Sequence, residues 1–585
     1  MGRHKAEENS GLINSLPPHH SRPAVTGRPF FRKDKPMARR RQEPSMMQQI
    51  FVIMIFSIAA SYIEPTSEEL YWVEMFCYLV IALGAFRLAN EVLSVSRNLL
   101  LRWYARRPSL NYGSARWATD KDHKRAGRFK TKGLFLGASA KSGRPLFFNG
   151  ETHGLTLSPA GGGKTVNFFI PALLHNDMPM IVPDLKGTLA CITKRTRAKR
   201  HKHKIYCVNP AQLFEDKLGK AARYNPLQIL SDSWAAQNLS DLITDAQAIA
   251  FQLMPEPPQA GENTFFRNGS RMITVFCMLY LVTKDQDKTP TLSDILKMLR
   301  NETDLKEALY VASCSDLLKG DLADIANDLL AKVEQNDKRQ WESFREGAVQ
   351  AFSAFSASGW LAESTSTCDF RFADLKKQKA TVYLIADPTR MRVYAPWLGL
   401  LGWCALTELT RCQSKEQVLF LFDEAANFRI EGLTAKLTEL RSYGCRVWFA
   451  LQSLDAFAKT YGRDDLQTLL EQCECQQFFG IQSYKTAELI SRTLGNTTVK
   501  GDNFNLGHII HDPVMHSVGE HARALLTPDE VRQFEDCIIL LRGQPPVHAL
   551  KVGYHEVKPW SRWADVDPMY GKKFKGKTKI VLRYS

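Results

Sequence analysis

Two uninterrupted apolar runs come first along the chain. MMQQIFVIMIFSIAASYI, from Met46 to Ile63, carries no charge; LYWVEMFCYLVIALGAFRLA, from Leu70 to Ala89, carries only Glu74 and Arg87, near its two ends. A helix needs about 20 residues to cross a hydrocarbon core of roughly 30 Å, and long charged side chains near its ends reach the interface. The pattern predicts two spanning helices joined by the short acidic loop EPTSEE. Past residue 150 the periodicity changes. GLTL (154–157), QVLFLFDE (417–424), RVWFAL (446–451), QQFFGI (476–481) and IILLR (538–542) are short apolar runs without alternation. Such runs form parallel strands buried on both faces of a sheet. Between 233 and 365 the apolar positions recur at helical spacing, as in SDLITDAQAIAFQLM, TFFRNGSRMITVFCMLYLV and ADIANDLLAKVEQ, with one clear turn at DQDKTPT. ATVYLIADP then resumes strand character, so an α/β domain is interrupted by helices.

These patterns divide the chain into a basic cytoplasmic arm (1–45), a transmembrane helical hairpin (46–89) and a juxtamembrane segment with the start of the α/β domain (90–150). That domain follows in two parts (151–232 and 366–555) around an inserted all-α domain (233–365), and a basic tail (556–585) closes the chain.

Composition narrows the function. A chain of 585 residues, 44% hydrophobic and 24% charged, is globular and not a disordered tail. The net charge of +16 favours polyanions, nucleic acid or acidic headgroups alike. Much of it flanks the apolar runs: Arg39, Arg40 and Arg41 precede the first, and Arg97, Arg102, Arg106 and Arg107 follow the second. The positive-inside bias places both flanks in the cytoplasm, and the long basic N-terminal region argues against a cleaved signal peptide. The 12 cysteines form no CxxC pair, and Cys473 with Cys475 reads as two strand residues, so the bulk of the chain is expected to be reduced and cytoplasmic.

The candidate chemistry lies where strands end. After GLTL come Ser158, Pro159, Ala160, Gly161, Gly162, Gly163, Lys164 and Thr165, then an apolar helix start. Glycines let backbone N–H groups turn toward phosphate oxygens. In such a loop Lys164 reaches the β and γ phosphates of ATP, and the Thr165 hydroxyl ligates Mg²⁺. Ser158 stands where the GxxxxGK[ST] pattern has its first glycine. QVLFLFDE delivers Asp423 and Glu424 to a strand end, Asp423 for the Mg²⁺ water shell and Glu424 to polarise the attacking water. Gln452, just after RVWFAL, is either a γ-phosphate sensor or a polar strand cap. Arg441, in LRSYGCR, is either an arginine finger or a surface arginine.

The ordered set of motifs resembles the coupling proteins of bacterial type IV secretion and conjugation systems, relatives of the FtsK-like DNA pumps. Tyr112-Gly113-Ser114-Ala115-Arg116-Trp117-Ala118 is similar to that family's juxtamembrane signature, and His153 before SPAGGGKT to its Walker A approach. Pro183-Asp184-Leu185-Lys186-Gly187, Tyr224-Asn225-Pro226-Leu227, Ala450-Leu451-Gln452-Ser453 and Leu525-Leu526-Thr527-Pro528-Asp529-Glu530 follow in family order. The resemblance runs from about 112 to 554. It departs at Ser158 and at Thr188, where the family often has Glu.

It implies a RecA-like P-loop NTPase domain with a parallel sheet, an inserted all-helical domain, a two-helix anchor in the bacterial inner membrane and a homohexameric ring. It also implies ATP and Mg²⁺ as cofactors, with Lys164, Glu424, Arg441 and Gln452 as catalytic residues. The implied partners are secretion channel components, inner-membrane lipids, and a relaxase with single-stranded DNA or, alternatively, protein effectors. A non-hydrolysing membrane scaffold is the alternative outside the enzymes. The lysines of the tail (Lys572, Lys573, Lys575, Lys577, Lys579) read as a solvated segment before they read as a nucleic-acid contact.

Overall fold

The structure, a computed structural model, describes residues 46–63, 68–105, 110–256, 264–285, 287–334, 338–414, 416–505 and 515–584. The basic arm, the EPTS part of the acidic loop, and Arg106 and Arg107 lie outside them. The chain forms two units, up to Arg107 and from Pro108 onward.

In the first unit, α1 (Met46–Ser61) and α2 (Glu68–Ala105) are both helical. Leu70–Arg97, 28 residues with a mean hydropathy of 1.6, is long and apolar enough to cross a membrane. α1, described from Met46 on, is a shorter apolar helix. Of the two helices expected to span, one meets the length and apolarity of a span among the described residues, and the other is a shorter apolar helix, Met47–Ser61. The Gln49 amide donates to the Glu91 carboxylate at 2.7 Å, so the helices of this unit are linked through polar side chains.

The second unit is built on an eleven-stranded sheet. Its strands are β1 (Leu134–Ser139), β2 (Pro145–Phe148), β3 (His153–Leu157), β4 (Met180–Asp184), β5 (Lys204–Val208), β6 (Ala380–Ile385), β7 (Val418–Phe422), β8 (Cys445–Leu451) and β9 (Cys473–Phe478). A separate antiparallel hairpin, β10 (Asn496–Asn505) with β11 (Met515–Ala524), precedes the last two, β12 (Cys537–Leu541) and β13 (Val547–Leu550). The order is β2-β1-β13-β12-β9-β3-β8-β7-β4-β6-β5. From β9 to β5 all neighbours are parallel. β12, β13, β1 and β2 continue the sheet antiparallel.

The expected parallel sheet is present from β9 to β5 and is extended by an antiparallel edge. Run 538–542 belongs to that edge, and 134–148 supplies two strands that its mixed composition hides.

Why the central strands read as unbroken apolar runs is visible in their packing. Leu155, Leu157, Val382, Leu384, Phe420, Phe422, Val447, Phe449 and Leu451 enter one core, which they share with the inserted helices. Their neighbours Tyr383, Ile385, Leu419, Leu421, Trp448 and Ala450 enter the other, with Phe168, Phe169 and Trp560. Side chains alternate between faces, but both faces are dry, so the polar half of the alternation is missing. A buried polar chain sets the register of β3. Trp448 Nε1 donates to Thr156 Oγ1 (2.9 Å), Thr156 to Gln477 Oε1 (3.0 Å), and Gln477 Nε2 to the Leu136 carbonyl (3.1 Å). Slipping any of these strands by one residue would bury unpaired donors.

Helices from Gln228–Ala235 to Trp360–Ser364 lie between β5 and β6. Asn225 folds the chain into them: its Oδ1 accepts from Leu227 N (3.0 Å), and its amide donates to the Pro290 carbonyl (2.9 Å). Adjacent Tyr224 donates to Glu408 Oε1 at 2.5 Å, so the Tyr-Asn-Pro-Leu segment is a structural junction. The DQDKTPT turn ends in Thr291, which caps Leu292–Arg300 in a capping box with Asp294.

Candidate functional site

The C-terminal ends of β3, β4, β7 and β8 lie side by side, and the loops leaving them line one cleft of about 600 Å³. A crevice at the carboxyl ends of parallel strands is where α/β folds place ligands.

β3 leads into the glycine-rich loop. Ser158 is fully buried and its N–H donates to the Leu451 carbonyl (3.0 Å), which ties the loop's start to the end of β8. A Cβ on Gly162 would stand 2.1 Å from Ser158 Oγ, so with a serine at the first position a side chain on Gly162 would displace that hydroxyl. Gly163 has φ +91°, a left-handed conformation that opens the loop before Lys164. The following helix starts with a π-type turn over Thr165–Phe169, in which the Ile170 N–H reaches back to the Thr165 carbonyl. Pro171 has no N–H for the ordinary i→i−4 bond, and the wider turn accommodates it.

β7 ends at the acidic pair. The Lys164 ammonium stands 3.9 Å from Asp423 Oδ1 and 3.6 Å from Glu424 Oε1. Gln452 Nε2 and Asn427 Nδ2 each donate to one Glu424 oxygen at 2.8 Å, which fixes that carboxylate. Glu424 sits at φ +60°, ψ 49°, a strained backbone for a residue with a side chain; such strain clusters at functional sites. Asp423 Oδ1 is buried with no hydrogen-bond partner among the described residues. Burial pushes the Asp423 carboxyl up to about 7; Lys164 opposes that, and Glu424 and Asp184 add to it.

Asp184, at the end of β4, accepts from Ala190 N at 2.8 Å and is itself pushed up to about 6 by burial. The donor set fits a magnesium–nucleotide. A glycine loop at a helix start and Lys164 face the phosphate side, and Thr165 with the orphaned Asp423 oxygen faces the metal side.

Ser158, Gly161, Gly162, Gly163, Lys164, Thr165, Asp423, Glu424 and Gln452 are therefore brought together in the cleft or in the loop that forms it. Arg441 is not. It is exposed just before β8, whose seven residues carry the chain roughly 20 Å to Gln452. At that far edge His153 is structural: its Nδ1 accepts from Val447 N (3.1 Å), so Nε2–H donates to the Leu437 carbonyl (2.8 Å).

Two groups of contributors are not evident from the motifs. Asp184, which stands in the Pro183–Gly187 motif without an assigned role, and Asn427, which stands in none, form the first; the apolar strand MIVPD ending in Asp is the available signal for Asp184. The second is the C-terminal segment: Asp567, Met569, Tyr570 and Phe574 line the same cleft. Its lysines, from which a solvated tail is expected, are exposed. Trp560, however, is fully buried against Phe135 and His175, which folds the backbone onto the domain.

The Asp423 value carries a pH prediction. Because its folded-state value lies above the ordinary 3.8, this carboxyl contributes stability fully below pH 3.8 and loses it as pH rises through about 7. Metal binding needs the ionised form. Mg²⁺-dependent nucleotide affinity is therefore expected to rise about tenfold from pH 6 to pH 8, and to flatten in Asp423→Asn, measured by calorimetric titration.

A mostly parallel sheet in this order, with a glycine-lysine-threonine loop after one central strand and an acidic pair after another, defines a RecA-type P-loop protein. Its matches are more specific. Residues 116–578 match the family described as type IV secretory system conjugative DNA transfer, and the chain belongs to that family. The match continues past 554, through most of the tail that lies beyond the motif resemblance.

Among curated relatives, the chain is similar to protein VirD4 of Rhizobium radiobacter, 26% identical over 469 residues, 77% of this chain and 65% of the relative. It is also similar to conjugal transfer protein TraG of Escherichia coli, 22% identical over 502 residues and 75% of each. The chain thus spans just under two thirds of the VirD4 length. In fold it is similar to the bacterial conjugative coupling protein TrwBdeltaN70 in its unbound form, with TM-score 0.55 and 16% identity over 75% of this chain and 92% of that one. It is similar too to plasmid coupling protein TrwB in complex with ADP and Mg²⁺, with TM-score 0.53 and 16% identity over 75% and 93%.

Proposed function

We propose that this chain is the coupling ATPase of a conjugative type IV secretion system. It recruits relaxase-bound single-stranded DNA at the bacterial inner membrane and uses ATP with Mg²⁺ to deliver it to the secretion channel. The observation that carries this reading is the convergence of Lys164 with Asp423, Glu424 and Gln452 in one cleft, in a chain of the conjugative DNA transfer family. The ADP and Mg²⁺ complex of TrwB supports the same ligand for this cleft.

In the proposed mechanism Lys164 and the loop amides would hold the phosphates, and Thr165 and Asp423 would hold Mg²⁺, which would supply charge neutralisation there. Glu424 accepts a proton from the attacking water while Gln452 and Asn427 hold it in place. Asp184 is a second carboxylate beside the metal side. Arg441 lies too far from its own chain's cleft to serve it, so its proposed role is in a neighbouring copy of a homohexamer. α2 is the proposed membrane anchor, with α1 beside it as the second helix of a multi-pass hairpin. Basic residues such as Arg97 on the cytoplasmic side would meet acidic lipid headgroups.

The test is ATP hydrolysis by the detergent-solubilised full chain, with and without single-stranded DNA, alongside Lys164→Ala. DNA-stimulated turnover in the parent and at least roughly tenfold weaker nucleotide binding in the variant are the expected results. Turnover indifferent to DNA would favour protein effectors as the only cargo, and no turnover at all would return the non-hydrolysing scaffold.

A further inference from the structure

The nucleotide cleft has an aromatic wall that the loop and the acidic pair do not use. Asp567 begins a tight turn: its Oδ1 accepts from Met569 N (2.9 Å), its carbonyl accepts from Gly571 N (2.9 Å), and Gly571 has φ +62°. Asp-Pro at the start and a left-handed glycine near the end are the residues such a turn requires. The turn holds Tyr570 on the cleft lining, yet the residue is 64% exposed. Tyr570 meets Phe574 edge to face, with ring centroids 5.1 Å apart, and the Phe574 ring lies 6.1 Å from that of His555. His555 Nδ1 is buried without a hydrogen-bond partner among the described residues.

This group sits beside the phosphate loop in space. A Cβ on Gly553 would stand 3.0 Å from Val166, the residue after Thr165. The segment is held there from behind: Trp560 is buried, and Asp565 N donates to the Ile192 carbonyl at 2.9 Å.

We propose that Asp567–Phe574 forms the nucleobase subsite of the cleft, with the face of Tyr570 as the surface on which a purine ring stacks and Phe574, edge to face with it, as the ring that holds it in place. Two considerations support this. The charged lining on the phosphate side is Lys164, Asp184, Lys186 and the acidic pair. The other wall presents Met569, Tyr570 and Phe574, with the Asp567 carboxylate accepting from Met569 N within its own turn, and so suits the planar, weakly polar end of a nucleotide. An exposed tyrosine on a turn anchored by backbone hydrogen bonds also presents a flat face with few rotatable bonds to fix, which suits stacking. The proposal deepens the nucleotide-site reading and rests on it.

The experiment separates base from phosphate. Equilibrium binding of Mg²⁺-ATP and of Mg²⁺-tripolyphosphate, which has no base, is measured calorimetrically on the full chain in detergent, for the parent, Tyr570→Ala, Tyr570→Phe and Phe574→Ala. ATP binding is expected to weaken about tenfold in Tyr570→Ala, with tripolyphosphate within about twofold of the parent and Tyr570→Phe restoring ATP. Phe574→Ala should weaken ATP in the same selective way, with an unchanged melting temperature of the ligand-free protein excluding loss of fold. Unchanged ATP affinity in Tyr570→Ala, or equal weakening of ATP and tripolyphosphate, overturns the subsite. A parent that binds neither ligand overturns the nucleotide-site reading itself, and the subsite with it.

Discussion

Glu424→Gln is expected to lower ATP turnover by roughly 10²–10⁴ while leaving nucleotide affinity close to that of the parent. The side chain keeps its size, and its backbone, at φ +60°, is no harder for Gln than for Glu. What changes is proton acceptance: the amide cannot take the proton of an attacking water. Gln452 and Asn427 each donate to a different oxygen of Glu424. In the variant one keeps its acceptor, and the other meets an NH₂ and has to turn its own amide oxygen toward it, so an unchanged nucleotide affinity is what marks the loss as chemical. Single-turnover hydrolysis alongside ATP titration reads both quantities. Parental turnover in this variant would remove Glu424 from the chemistry and leave it as a partner of Lys164.

Arg441→Ala is expected to lower turnover of the assembled protein by about 10³ or more, the range of a finger supplied in trans. Its exposure, and its place at the opposite end of β8 from Gln452, mean that any action on phosphate falls on a neighbouring subunit. Mixing offers a decisive check. In an equal mixture of Arg441→Ala and Glu424→Gln chains, each nearly inactive alone, about a quarter of the interfaces pair an intact glutamate with an intact arginine. Recovery of turnover on mixing supports the finger. An Arg441→Ala protein that assembles and hydrolyses at the parental rate shows that the arginine is a surface residue.

How legible the site is depends on how far apart its parts lie along the chain. The loop from Ser158 to Thr165 and the strand QVLFLFDE each carry their chemistry within a few consecutive residues, and both stand out in the amino-acid sequence alone. Gln452 admits two readings from sequence, and the fold directs its amide at Glu424. Asp184 stands in a motif without a visible role, because a single aspartate after an apolar strand does not reveal that its strand runs beside the acidic pair's. The lysines of the C-terminal segment suggest solvation, and they are exposed. Trp560, more than ten residues earlier, is the group whose burial brings the segment back over the cleft.

The sequence by itself determined the local elements: the apolar central strands, the amphipathic insertion, the glycine loop, the acidic strand end and the capped turn at Thr291. Backbone preference, hydrophobic period and turn chemistry act between residues a few positions apart. The tertiary structure alone decided that the sheet's edge turns antiparallel, that Arg441 lies roughly 20 Å of strand from its own cleft, and that Tyr570 shares a cleft with Lys164. Those outcomes follow from strand order and from the burial of side chains hundreds of residues apart, which only the packed core brings together.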